Sequence, residues 1–102
     1  MTARIRLFEE AADEVEHERQ WYRQRSESAE VSFLRELDHA IAAVVEAPKM
    51  WPSYIAGTHR YVFPVFPFSL VYFVEDETVV IVSIAAEHKE PGYWRDRLPK
   101  RR

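Results

Sequence analysis

The sequence predicts an α+β fold whose elements run strand, two helices, three strands and a short tail. Three observations predict it. Apolar residues recur twice at helical spacing between residues 8 and 45, and from Thr58 onward the period changes to two. Proline or glycine stands at the points where one regime gives way to the other, at Pro48, Gly57, Pro64 and Pro67.

Arg4-Ile5-Arg6-Leu7-Phe8 alternates polar and apolar residues and reads as a short, half-exposed strand. Glu9-Glu10 then opens a helix, with carboxylates at the positive end of its dipole. Phe8, Ala11, Ala12, Val15 and Tyr22 form its apolar stripe, with Trp21 alongside. Glu14, Glu16, Glu18, Arg19 and Arg23 form the polar face, and the helix is expected to reach Arg25. Ser26-Glu27-Ser28-Ala29-Glu30 is the break, where either serine can cap the second helix. In that helix Phe33, Leu37, Ala40, Ile41, Val44 and Val45 make one continuous apolar stripe, which Pro48 ends. Two such helices joined by a short turn form an antiparallel hairpin.

Lys49 to Gly57 reads as a loop, and His59 to Phe63 as a strand broken by Pro64 and Pro67. Phe68 to Val74 and Thr78 to Ala86 are two further strands. The three-residue connection Glu75-Asp76-Glu77 makes them antiparallel neighbours. Both are apolar on both faces: Leu70, Tyr72 and Val74 against Val71 and Phe73, then Val79 and Ile81 against Val80, Val82 and Ile84. A sheet with one wet face alternates more cleanly. Two helices cover only one face, so the tail, a second copy or a partner must cover part of the other.

A length of 102 residues suits one domain over 1–102, with a basic tail at 88–102. Hydrophobic residues at 47% and aromatics at 14% exclude a disordered chain. With no cysteine there is no disulfide framework, thiolate zinc site or thiol nucleophile. No apolar run reaches the length of a membrane span, and Met1-Thr2-Ala3-Arg4 leads into no signal-peptide core. A cytoplasmic protein with no membrane partner is expected.

Net charge is −3, unevenly spread. Residues 88–102 hold six Lys/Arg against two acids, a balance of +4. The rest hold eight against fifteen, a balance of −7. The tail is either drawn to a polyanion or acidic protein groove, or simply solvated. Within it, Glu90-Pro91-Gly92-Tyr93-Trp94-Arg95-Asp96-Arg97 places a Trp where termini are usually polar and frayed. That Trp is either an anchor or part of a working surface.

His17, His39, His59 and His88 form no HExxH or i,i+4 pair, so no metal site and no cofactor are expected. Two glycines, Gly57 and Gly92, make no phosphate loop, and there is no GxSxG elbow. What remains is Arg60 beside Tyr61, and His88, Lys89, Tyr93, Arg95 and Arg97 after the last strand. RNA cleavage needs a base for the 2′-hydroxyl, cations for the developing charge and an acid for the leaving oxygen. His88 or Tyr93, with Arg60 and Lys89, could fill those roles if the last strand ends near Arg60. Singly, each also reads as an exposed Arg, a solvated His or a packed Tyr.

Several segments, in order, resemble the RelE/ParE superfamily of type II toxins, on its ParE-like, plasmid-stabilisation side. They are Trp21-Tyr22 before Arg25-Ser26, Phe33-Leu34-Arg35-Glu36-Leu37-Asp38, Pro48 with Trp51-Pro52, and Gly57-Thr58-His59-Arg60-Tyr61. Phe66-Pro67-Phe68-Ser69-Leu70-Val71-Tyr72 and Pro91-Gly92-Tyr93-Trp94 complete the series. The resemblance implies a β-α-α-β-β-β fold, a helical hairpin packed on a small antiparallel-rich twisted sheet. It also implies a toxin neutralised by a cognate antitoxin, in a heterotetramer or larger complex. ParE-like members inhibit DNA gyrase, whereas RelE-like members cleave mRNA on the ribosome.

Two departures weigh against the ribonuclease. His59 stands where relatives carry the first of two arginines, and Ala86 stands where many carry a histidine, which leaves His88 offset. The acidic net charge also suits RNA poorly. The leading expectation is a ParE-like gyrase inhibitor with no catalytic residue. Its target or antitoxin contacts are Arg60, Lys89, Arg95 and Arg97, and Trp94 is its structural anchor. The alternatives are a RelE-like endoribonuclease using Arg60, His88, Lys89 and Tyr93, and a non-toxic interaction domain on the same fold.

Overall fold

The computed structural model describes residues 4–100. Strand β1 (Arg4–Leu7) leads into helices α1 (Glu9–Arg23) and α2 (Glu27–Glu46), followed by strands β2 (His59–Val62), β3 (Phe68–Glu75) and β4 (Thr78–Ala86). The sheet order is β1-β4-β3-β2, with β1 parallel to β4 and the other pairs antiparallel. This is the β-α-α-β-β-β fold expected from the sequence.

The helix ends follow local chemistry. Phe8 caps α1 through backbone alone, with Glu9 and Glu10 in the first turn. α1 stops at Arg23 rather than Arg25, because the Arg25 and Ser26 amides turn back onto the Tyr22 carbonyl. Of the two serines, Ser26 is the cap: its Oγ accepts the Ala29 amide at 3.0 Å. α2 ends at Glu46, with Ala47 pushed out of helical geometry ahead of Pro48.

Phe33, Leu37, Ala40 and Val44 are buried on α2, with Ile41 and Val45 packed beside them. Tyr22 stacks on Phe33 at 5.2 Å, and Phe66 and Phe68 meet that pair edge-on. Glu36 pins the loop before β3 by accepting the Val65 and Phe66 amides at 2.8 and 3.0 Å. The hairpin thus covers one face of the sheet.

The other face carries a smaller core of Val71, Val82 and Trp94, with Tyr54, Ile55, Tyr93 and Leu98 around it. Of the three possible covers, the C-terminal segment occupies this face. Gly92, at φ +82°, turns the chain onto it; any Cβ there would approach Arg95 Nε to 3.2 Å.

Two expectations are corrected at β3–β4. The connection is a two-residue turn, since Glu75 pairs with Thr78; Asp76 and Glu77 both take positive φ, at 50° and 61°. That left-handed pair matches the right-handed twist of the strands, as a primed turn does. Plain alternation groups Ile84 with Val80 and Val82, opposite Val79 and Ile81, but it packs with Val79 and Ile81 in the hairpin-side core. The cause is a β-bulge. Val71 pairs with Ser83 and Tyr72 with Ile81, so the ladder steps over Val82 and every later side chain on β4 changes face.

Candidate functional site

The bulge leaves backbone groups near Val82 that need partners from outside the ladder. Glu14 of α1 and Arg97 of the C-terminal segment supply them. Glu14 Oε1 accepts the Ile84 amide at 3.1 Å and the Ser83 hydroxyl at 2.9 Å. Arg97 Nη1 donates to the Val82 carbonyl at 3.0 Å, and the guanidinium forks onto Glu14 at 3.1 and 3.0 Å. The Tyr93 hydroxyl donates to Glu14 Oε2 and lies 3.1 Å from Ser83 Oγ. Among the described residues no buried side-chain polar atom lacks a partner.

Burial, then the hydrogen bond to Glu14, pushes the Tyr93 phenol up to about 12. Burial alone would lower the Arg97 pKa, but the bonds to Glu14 outweigh it and hold the guanidinium charged. The sequence pattern puts Glu14 on the solvent face of α1 and Arg97 among cations that stay outside. Both are instead mostly covered, at 20% and 18% side-chain exposure. The only sequence signal for Glu14 is its place three residues after Ala11, at the border of the apolar stripe.

The remaining candidates divide between two depressions. Arg60 stacks its guanidinium over Tyr54 at 4.3 Å, and Tyr54 lies 6.0 Å from the Trp94 ring. Arg60, Lys89, Tyr93 and Trp94 line a hollow of about 90 Å³, room for a few waters. Lys89 Nζ sits 5.2 Å from the Tyr93 ring. Trp94 is 1% exposed, whereas Arg95 is exposed. The tail residues Arg101 and Arg102 lie outside the described residues.

His88 is exposed and lines a second, larger cleft with Lys89 and Tyr93. Arg60 is not part of that cleft, so the sheet brings Arg60, Lys89 and Tyr93 together while His88 opens elsewhere. His59 is structural in its contacts: Nδ1 lies 2.9 Å from the Trp51 carbonyl and the ring stacks on Tyr72. The larger cleft, about 750 Å³, runs between α1 and the C-terminal turn. Tyr22, Phe68, Ile84 and Ala86 contribute apolar surface to it, and Glu10, Asp13, Glu14 and Glu18 contribute carboxylates. Among the described residues no cluster of His and carboxylate side chains could hold a metal, and no helix is long and apolar enough to cross a membrane.

The family model described as "ParE toxin of type II toxin-antitoxin system, parDE" matches residues 5–91 of this chain. A chain of a chromosomal ParDE toxin–antitoxin system from P. aeruginosa superposes with a TM-score of 0.72 at 13% identity, covering 83% of this chain and 96% of that one. A mutant of E. coli toxin RelE in the free state superposes with a TM-score of 0.56 at 18% identity, covering 86% of each. At these identities the superpositions speak for the fold. No curated protein sequence matches.

Proposed function

Since the chain belongs to the ParE toxin family of type II toxin–antitoxin systems, we propose that it is a toxin held inactive by a cognate antitoxin and that it inhibits DNA gyrase by binding it. The observation that carries this reading is the family match across residues 5–91. The site supports binding over catalysis. A Tyr93 phenol held near 12 is a poor base at neutral pH, and its hydroxyl is already committed to Glu14 and Ser83. Arg60 and His88 face different hollows. Lys89 and Arg95 are exposed cations available to a target or antitoxin, with Arg60 at the edge of the Tyr54–Trp94 stack.

One observation favours a second reading, a RelE-like ribosome-dependent mRNA endonuclease: Arg60, Lys89 and Tyr93 do share one hollow. Induced expression with and without the neighbouring antitoxin gene separates the two. A DNA damage response with loss of gyrase supercoiling supports the first reading. Cleavage of mRNA in the ribosomal A site supports the second.

A further inference from the structure

We infer that the outer edge of β1 pairs antiparallel with the same edge of a second copy of this chain, joining two four-stranded sheets into one. The sheet has two edges, and only one is protected. At the β2 edge the preceding loop runs alongside: Ser53 bridges His59, and the Arg60 amide donates to the Pro52 carbonyl at 3.0 Å. At the β1 edge nothing among the described residues plays that part. The Arg4 and Phe8 amides point inward, to the Glu77 and Ile81 carbonyls at 3.2 and 3.0 Å. Alternation then turns the Ile5 and Leu7 backbone groups outward, an open template for another strand. Every residue of β1 is exposed, Ile5 at 46% and Leu7 at 42%.

The chemistry of this segment selects a second copy as the occupant. Arg4-Ile5-Arg6-Leu7-Phe8-Glu9-Glu10 is basic at its start and acidic at its end. Arg4, Arg6, Glu9 and Glu10 are all exposed, and none makes an ion pair among the described residues. An antiparallel partner of the same sequence sets the basic start of each copy beside the acidic end of the other, whereas a parallel one would set like against like. The outward groups fix the register. Ile5 of each copy lies opposite Leu7 of the other about a two-fold axis at Arg6, and each such pair exchanges both its N–H···O bonds. Ile5 and Leu7 share the face of their ladder partners Val79 and Ile81, on the hairpin side, so the exposed side chains close an apolar strip there. On the opposite face Arg4 comes opposite Phe8 of the second copy, next to its Glu9, and Arg6 alone meets a like charge. Because that axis is perpendicular to the sheet, both helical hairpins lie on one side of the joined sheet and both C-terminal segments on the other.

The contact is small, as in weak and transient interfaces, so the dimer should appear with concentration. Sedimentation equilibrium of the full chain from about 10 µM to about 1 mM should show a monomer–dimer equilibrium. Amide hydrogen exchange at Ile5 and Leu7 should slow as the concentration rises. Ile5→Lys puts a charge inside the apolar strip and should hold the chain monomeric. Circular dichroism checks its fold, and Leu7→Lys serves if it unfolds. Arg6→Thr removes the like-charge contact and should tighten the dimer by about threefold. Arg4→Glu should weaken it by about the same factor, and Arg4→Glu combined with Glu9→Lys should restore it. A chain that stays monomeric throughout the range, a dimer indifferent to both lysine substitutions, or a charge-swapped variant no better than Arg4→Glu would overturn the pairing. None of these readouts uses toxicity or a target, so they judge the edge separately from the function proposed above.

Discussion

Arg97 meets Glu14 through two hydrogen bonds, 3.1 Å to Oε1 and 3.0 Å to Oε2, across 83 residues of sequence. The pair closes the C-terminal segment onto α1, and both side chains also reach the backbone flanking the bulge at Val82. A bidentate fork on groups that are largely removed from water is worth more than a surface ion pair. Loss of either partner also strands a backbone group: the Ile84 amide without Glu14, the Val82 carbonyl without Arg97.

Glu14→Ala should therefore destabilise the protein by about 2 kcal/mol or more. Arg97→Lys should fall between wild type and Arg97→Ala, since it keeps the charge and loses the fork. Denaturant unfolding of Glu14→Ala, Arg97→Ala and the double variant gives the coupling, expected at about 1–3 kcal/mol. Additive losses would mean the two side chains act separately.

Little of this pair is legible in the sequence. The helices are, because Phe33, Leu37, Ala40 and Val44 repeat within one element and Ser26 sits at its mouth. Strand positions and the order of elements are legible for the same reason: period and punctuation are local signals. Alternation puts Ile84 on the wrong face because a bulge adds one residue without changing the apolar pattern on either side of it. Glu14 reads as solvated because its partners lie 69 to 83 residues away, and a carboxylate at the border of a stripe looks like its exposed neighbours. Arg97 is hidden by the composition of a tail rich in cations.

The Trp94 side chain fills the core on the second face of the sheet. Trp94→Ala should cost about 3 kcal/mol or more, in the range for a buried large aromatic. Thermal melts decide it. An unchanged melting temperature with lost toxicity would instead make Trp94 part of the target surface.

Alkaline pH should erode stability through two phenols. Burial holds Tyr72 up to about 12, and burial with the Glu14 bond does the same for Tyr93, against 10.0 for an ordinary tyrosine. Below pH 10 both folded and unfolded chains keep these protons, and the contribution is complete. As pH rises from about 10 to 12 the unfolded chain releases them while the folded chain does not, so stability falls. Denaturation midpoints across that window should show the loss, reduced in Tyr93→Phe. A flat profile would mean Tyr93 is better solvated than its contacts with Glu14 and Ser83 indicate.

The C-terminal cations test function apart from stability. Arg97 is unsuitable, because it is bonded to Glu14 and the Val82 carbonyl and its variants are expected to disturb the fold, so Arg95→Ala and deletion of residues 99–102 are the informative changes. Each should alter stability by no more than about 0.5 kcal/mol. If these cations steer the toxin to an acidic or DNA-bound target, the changes should slow association and reduce its salt dependence, with little effect on dissociation. Under the endonuclease reading, Arg60→Ala and His88→Ala should instead abolish mRNA cleavage while leaving antitoxin binding nearly intact. The expected outcome is no ribosome-dependent cleavage by the wild-type protein and a DNA damage response on induction. Primer extension on ribosome-bound mRNA is the deciding measurement, and A-site products that vanish in Arg60→Ala would make this chain an enzyme.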